Sequence, residues 1–285
     1  MTSSRATLAF TLLIGVSTAA AAQQPESRQV NVLEMPRPIE ALDNVWIEEL
    51  TMLEVRDALK EGKTTALILT GGIEENGPYL TTGKHNHVLR VMGESIARRL
   101  GNALIAPIVT LEPGNPANIR APGTVVLSRE TYNAVLRDIA TSLKTQGFKD
   151  IILIGDSGGN QGPMQTVAEA LNQEWQGGDT RVYFIPEFYN YDDVVTFQKD
   201  VLGVDEDPRL EGLHDDYYIT SIIMNDDPQY VRLEQRIKAN KASINGISLL
   251  PVEKTLAHGR RIIEFRTDAT VAAFRKAQAA ARSGT

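Results

Sequence analysis

The stretch TTALILTGGIEENGPYLTTGKHNHVLRVMGESIARRL, residues 64–100, changes its period half-way along, and that change decides the fold. TTALILT (64–70) is a β-branched apolar run that stops at Gly71-Gly72, the pattern of a strand buried on both faces. From Val88 onward the apolar residues return at helical spacing, with Val88, Met92, Ile96 and Leu100 on one face. Gly101 is placed to end that helix, because glycine enters the left-handed conformation without strain. The turn between strand and helix carries Glu74, Glu75, Asn76, His85 and His87.

The same alternation extends in both directions. Residues 50–61 place Leu53, Val55 and Leu59 at helical spacing ahead of the first strand, and ALIAPIVT (103–110) reads as the next strand. LEPGNPANIRAPGT (111–124) has three prolines, two glycines and no period; a loop this long in a compact domain is often functional. A helix over 130–146 stops at Gly147, DIILIG (150–155) is a third buried strand, a helix runs from about Pro163 to Trp175, and RVYFIP (181–186) is a fourth strand. Residues 251–282 read as one or two closing helices. Strands alternating with helices predict an α/β fold: a mostly parallel sheet covered on both faces, with the crevice at the carboxyl ends of the strands.

Composition narrows the chemistry. The chain has 285 residues, 42% of them apolar, so a core can form without staples. It has no cysteine, which excludes thiolate metal sites, cysteine nucleophiles and disulfides, and only four histidines: His85, His87, His214 and His258. Residues 1–22 combine Arg5, an apolar run over 6–16 and a small-residue end at Ala20–Ala22, the pattern of a signal peptide, so a secreted or periplasmic protein is expected. No membrane span is expected once that segment is cleaved. Residues 23–44, with Pro25, Pro36 and Pro38, read as a flexible leader arm, and 45–285 as one domain. The formal charge of −7 becomes −8 without Arg5, and with no basic block it excludes a nucleic-acid footprint.

Three clusters could carry chemistry. In GGIEENGPYLTTGKHNH (71–87), glutamates at a strand end meet histidines at a helix start, which suits a divalent metal; solvated loop histidines are the plainer reading. GDSGGNQG (155–162) leads from a strand into a helix. It lacks the spacing of a phosphate loop and of the G-x-S-x-G elbow, so close packing of helix on strand is the plainer reading there. In GLHDDYYITSIIM (212–224), Asp215 or Asp216 is a candidate helix cap and His214 a candidate proton shuttle, histidine being the side chain whose charge changes near neutrality. His258, among Lys254, Arg260 and Arg261, reads as part of a solvated helix face, and His87 as a bystander.

Together GGIEENGPYLTTGKH, GDSGGN and HDDYYITS resemble, in order and separation, three stretches of the creatininase (creatinine amidohydrolase) family. The resemblance implies a three-layer αβα sandwich with a mostly parallel central sheet, a homo-oligomer, commonly a hexamer, and metal-dependent hydrolysis of amide bonds, often cyclic, in a small molecule. Glu74 matches the family's first-motif glutamate and His214 its proton-transferring histidine. Asn76 stands where the family has a ligand histidine, His85 where it has an aspartate, Ser157 where it has a histidine, and Ile219 where it has a glutamate. With these exchanges, one zinc or manganese ion is expected on Glu74 and His85, joined by Asp156, Asn76 or His214, with His214 and Glu75 as catalytic residues and Tyr217, Tyr218 and Asn160 as substrate contacts. The alternative is a ligand-binding protein of the same fold that has lost its metal. Tyr189, Tyr191 and the 111–124 loop would set substrate choice.

Overall fold

The computed structural model describes residues 31, 33–211 and 214–283. The expected signal peptide (1–22) lies outside them, as does most of the expected leader arm. The chain divides into two compact units, Met1–Pro36 and Arg37–Thr285. Of the first, the described residues form a turn in which the Glu34 N–H donates to the Asn31 carbonyl at 3.0 Å. In the second, residues 37–44 are tied to the first helix: the Arg37 guanidinium donates to Asp57 at 3.3 Å and the Leu42 N–H to Glu54 at 2.8 Å.

Helix α1 (Met52–Lys60) is followed by β1 (Thr65–Thr70), α2 (Lys84–Leu100) and β2 (Ala103–Ile105). Two short strands, β3 (Pro113–Gly114) and β4 (Leu127–Ser128), precede α3 (Arg129–Gln146), β5 (Asp150–Gly155), α4 (Gly158–Glu174) and β6 (Arg181–Phe184). The chain then becomes helical: α5 (Tyr191–Leu202), α6 (Tyr217–Met224) and α7 (Leu233–Lys238), a hairpin of β7 (Ser243–Ile244) and β8 (Ile247–Ser248), and the 32-residue α8 (Val252–Ser283). The central sheet has the order β2-β1-β5-β6, parallel throughout. Alternation along β1 sorts the core into two halves. Leu67 and Leu69 face a cluster shared with α2, α6 and α8, whereas Ala66 and Ile68 face one shared with α3 and α4. All four are fully buried, and each large apolar side chain so buried contributes about 1.5–3 kcal/mol. This is the three-layer αβα arrangement.

Several boundaries differ from the sequence expectation for local reasons. The second strand stops at Ile105, because Pro107 has no N–H to give to a ladder, and pairing resumes only as a single bridge between Thr70 and Val109. Helix α2 starts at Lys84 rather than Val88, which puts His85 in its first turn. Helix α4 starts at Gly158 and keeps Pro163 inside it; Ser157 is its N-cap, accepting from the Gly159 N–H at 3.3 Å. The closing segment is one helix, and its His258 is not on a solvated face: it is buried, with Nδ1 3.0 Å from the Tyr217 hydroxyl. Asp216 precedes α6 without capping it. The Tyr217 N–H donates instead to the Glu206 carboxylate at 2.8 Å.

Helix α8 can lie against α6 because Gly259 has no side chain. A Cβ there would stand 2.2 Å from the Ser221 carbonyl oxygen and 2.7 Å from its carbon, both backbone atoms that cannot rotate away. Gly259→Ala is therefore expected to lower stability by roughly 1–3 kcal/mol or more, read as a lower midpoint in urea at unchanged slope. An unchanged midpoint would show that the two helices are not in this contact.

Candidate functional site

The parallel register sets Thr70 of β1 opposite Gly155 of β5, so the two strands end side by side and release Gly71 and Asp156 at the same level. Asn160, from the first turn of α4, locks this end: its Nδ2 donates to the carbonyls of Thr70 at 2.7 Å and Gly71 at 3.0 Å. Close packing requires Gly155, since a Cβ there would meet Met164, Asn160 and Thr70 within 2.9 Å. Above this floor lies a cleft of about 460 Å³ lined by Glu74, Lys84, His85, Asp156, Ser157 and His214, with Tyr189, Tyr191, Tyr218 and Asp216 around its wall.

A chain of charges occupies the floor. The His85 ring lies between two carboxylates, with Nε2 2.8 Å from Glu74 Oε1 and Nδ1 2.9 Å from Asp156 Oδ2. Lys84 Nζ stands 3.2 Å from the same Glu74 oxygen and donates to the His214 carbonyl at 2.7 Å. The other Asp156 oxygen accepts from Arg266 of α8 at 3.0 Å; that guanidinium also donates to the Phe188 carbonyl at 3.0 Å and lies 4.4 Å over the Phe188 ring. Lys84, His85, Asp156 and Arg266 are all buried. Three cationic side chains thus face two carboxylates in this chain of contacts, with the Glu112 and Asp216 carboxyls close by.

The pairings fix protonation. Burial opposes the His85 imidazolium, yet hydrogen bonds to Asp156 and Glu74 prevail and push it up to about 9. Burial likewise opposes ionised Glu74, but the hydrogen bond from His85 and the Lys84 charge hold its carboxyl down to about 2. Asp156 is lowered as well: burial works against it, and the Arg266 charge and His85 outweigh that. Burial, reinforced by the nearby Glu206 charge, raises Asp216 to about 6. His214, with its side chain 57% exposed, holds Nδ1 3.6 Å from Glu74 Oε1 and has the left-handed φ of 60°. Lys84, by holding the His214 carbonyl, keeps that residue over Glu74.

The expected site residues divide. Glu74, His85, Asp156, His214 and Tyr218 come together in the cleft. Asn76 does not join them, because its Nδ2 is spent on the carbonyls of Glu74 and Thr81 at 3.1 and 2.9 Å. Glu75 faces away: its carboxylate accepts from the Thr124 hydroxyl, which in turn accepts the Glu75 N–H at 2.9 Å. Tyr217 is a core residue at 1% exposure, and Asn160 is fully buried at the strand ends, so neither is a substrate contact. Sequence reasoning passes over Lys84, Arg266 and Glu112. Lys84 stands in the first motif directly beside His85, whereas Arg266 looks like any basic residue of an Ala-rich helix. A second cavity, of about 480 Å³ between Trp46 and Ile263, is lined by half-exposed pairs such as Arg90 with Glu49 at 2.8 Å and lacks this buried constellation.

The family model for creatininase, described as creatinine amidohydrolase, matches residues 48–283. The chain belongs to this family. Solved structures agree in fold: a mutant creatininase of Zn-Zn type is 17% identical with a TM-score of 0.63, covering 82% of this chain and 98% of that one. A creatininase described with Mn is 18% identical at 0.60, with the same coverages, and a creatinine amidohydrolase crystal structure is 20% identical at 0.56, covering 83% and 97%. A Thermotoga maritima protein named 3-dehydro-scyllo-inosose hydrolase is 28% identical over 115 residues, which is 40% of this chain and 36% of that relative.

Zinc and manganese forms of the family raise the question of a metal in this creatininase-family chain. Its residues do not fit one. Among the described residues no group of three or more His, Asp or Glu is placed to hold an ion. Both His85 nitrogens are engaged by carboxylates, and Glu74 and Asp156 are already neutralised by Lys84 and Arg266. A dication would have to displace two buried cations from these oxygens. The expected ligand set of Glu74, His85, Asn76 and Asp156 is thus an ion-pair chain with Asn76 outside it.

Metal content and pH dependence both check this arrangement. Protein incubated with Zn or Mn and desalted is expected to carry substoichiometric metal by elemental analysis, and chelator is expected to leave its melting temperature unchanged; one tightly held ion per chain would contradict the assignment. The His85 contribution to stability is complete below its ordinary value of 6.5 and fades as pH rises through about 9. That of Glu74 is complete above 4.5 and fades as pH falls through about 2. His85→Asn should therefore cost roughly 3–5 kcal/mol near pH 6, measured by denaturant unfolding, with the difference from wild type narrowing toward pH 9.

Proposed function

We propose that this chain hydrolyses a carbon–nitrogen bond of a small amide, cyclic amides included, using the charges of its own side chains. The observation that carries the proposal is the convergence of an exposed His214 imidazole with the fixed cations Lys84 and His85 around Glu74, in an open cleft at the carboxyl ends of β1 and β5. The family description, creatinine amidohydrolase, supports amide hydrolysis, and the printed name of the Thermotoga maritima relative supports hydrolysis in general.

The geometry gives each group a task. An amide carbonyl entering the cleft meets positive charge already fixed in place, so the negative charge developing on its oxygen is stabilised without reorganisation of solvent. Glu74, held ionised, neutralises the two cations enough to keep them buried and orients the His214 ring through their 3.6 Å approach. His214 reaches the solvent side of the cleft and exchanges a proton with the departing nitrogen. Tyr189, Tyr191 and Tyr218 supply flat walls suited to a small planar substrate. The leader-like residues 1–22 support export, so that the substrate would be met outside the cytoplasm.

A panel of creatinine, other cyclic amides and acyclic amides, assayed in chelator, tests the reading. Turnover is expected, and His214→Ala should lower kcat roughly 10²–10⁴-fold. Lys84→Met should lower it about 10²–10³-fold, as removal of one electrostatic stabiliser does. Ligand-induced thermal stabilisation with no turnover of any panel member would instead make the cleft a binding site.

A further inference from the structure

The same cleft holds a second constellation, separate from the Glu74–His85–Asp156 array. Ser157 lines the cleft at the point where β5 hands over to α4, and its hydroxyl donates to the carboxylate of Glu112. Glu112 comes from the irregular segment between β2 and β3 and does not itself line the cleft, so Ser157 links the carboxylate to the cleft wall. The seat of the carboxylate is built from missing side chains. A Cβ on Gly72 would lie 3.2 Å from Glu112 Cδ, and one on Gly159 would lie 3.5 Å from its Oε2. Beyond Ser157 begins the 17-residue α4, whose N-terminal turn is the positive end of a helix dipole. The Tyr189 hydroxyl is alongside, 3.3 Å from where a Gly158 Cβ would be.

We infer that Ser157 is the nucleophile of the proposed hydrolysis and Glu112 the base that activates it. The inference rests on the hydrolase reading for its substrate class and on the Ser157–Glu112 contact for its chemistry. Ser157 Oγ adds to the amide carbonyl carbon while its proton passes to Glu112. The tetrahedral oxyanion forms beside the Tyr189 hydroxyl, a donor suited to that charge, and at the positive end of the α4 dipole. On collapse the carbon–nitrogen bond breaks, the nitrogen leaves with the proton carried by His214, and an ester remains on Ser157 Oγ. Water then adds to the ester carbon and gives a proton to His214. The carbon–Oγ bond breaks, Oγ recovers its proton from Glu112, and the carboxylic acid departs. No oxidant, reductant or ion is consumed. Burial raises the Glu112 carboxyl, with the Ser157 hydrogen bond working against it, which is the direction a base facing neutral solution requires.

The full chain, treated with a fluorophosphonate probe and separately with p-nitrophenyl acetate, reads this directly. The expected result is one adduct per chain, found on the peptide containing Ser157, with a matching burst of p-nitrophenolate. Ser157→Gly keeps a residue well suited to an N-cap and removes Oγ, so it should fold, as checked by circular dichroism, and lose the adduct. Glu112→Gln should slow adduct formation roughly 10²–10⁴-fold while the fold is retained. Absence of an adduct on wild-type protein, or an unchanged adduct on folded Ser157→Gly, overturns the assignment. Amide turnover undiminished in Ser157→Gly overturns it too but leaves the hydrolase reading intact. An adduct on Ser157 without any amide turnover supports the nucleophile and removes the amide reading.

Discussion

His85 lies with one ring nitrogen on Glu74 and the other on Asp156, and much of the site depends on that pair of contacts. A ring hydrogen-bonded to carboxylates at both nitrogens is an imidazolium, and a buried imidazolium is tolerable only while both partners stay ionised. Each carboxylate is in turn shared with a second cation, Lys84 on one side and Arg266 on the other. The result is a five-membered array drawn from the loop after β1, the first turn of α2, the end of β5 and the middle of α8. Elements far apart in sequence are thereby fastened at one point. Burying so many charges is expensive unless each has its partners, and here nearly every link is between 2.7 and 3.2 Å.

The array also explains why a family with zinc and manganese members can include a chain whose donor set suits neither. The function of a metal at such a place is to bring concentrated positive charge to a carbonyl or to water. Lys84, His85 and Arg266 bring positive charge to the same strand ends without an ion. Lys84 adds a second effect, because the ammonium that neutralises Glu74 also grips the His214 carbonyl and so couples the floor of the cleft to the proton-carrying residue at its mouth. Ser157, at a position where the family motif has a histidine, is left free of metal duty and paired with Glu112. A protein-borne charge is always present and needs no loading, but it is fixed in strength and cannot itself lower the pKa of a bound water as a metal does.

Much of the architecture is legible in the chain. The four main strands and the helices between them appear as runs of opposite period, and the alternation within β1 already separates the two halves of the core. The departures are local. Pro107 cuts β2 short, and Ser157 with two tolerated glycines lets α4 begin five residues before Pro163. In the site, motif positions point to Glu74, His85, Asp156 and His214. Asn76 and Glu75, equally polar and adjacent, are not distinguishable from Glu74 by pattern, because which way a loop side chain turns depends on Thr81 and Thr124 across the turn. Tyr217 and His258 show the same limit: by pattern each looks exposed or functional, and each is packed against the other between α6 and α8.

The sequence by itself determined the α/β alternation, the absence of thiol chemistry and the residue types gathered at the strand ends, because period and composition act through local backbone preference and burial. Only the tertiary structure decided how those residues are paired. Arg266 and Glu112 act on the cleft through Asp156 and Ser157, in contacts spanning 110 and 45 positions, and no local pattern encodes a partner so distant. Whether His85 is a metal ligand or an imidazolium between two carboxylates is a matter of what surrounds it, and what surrounds it is assembled only when the chain folds.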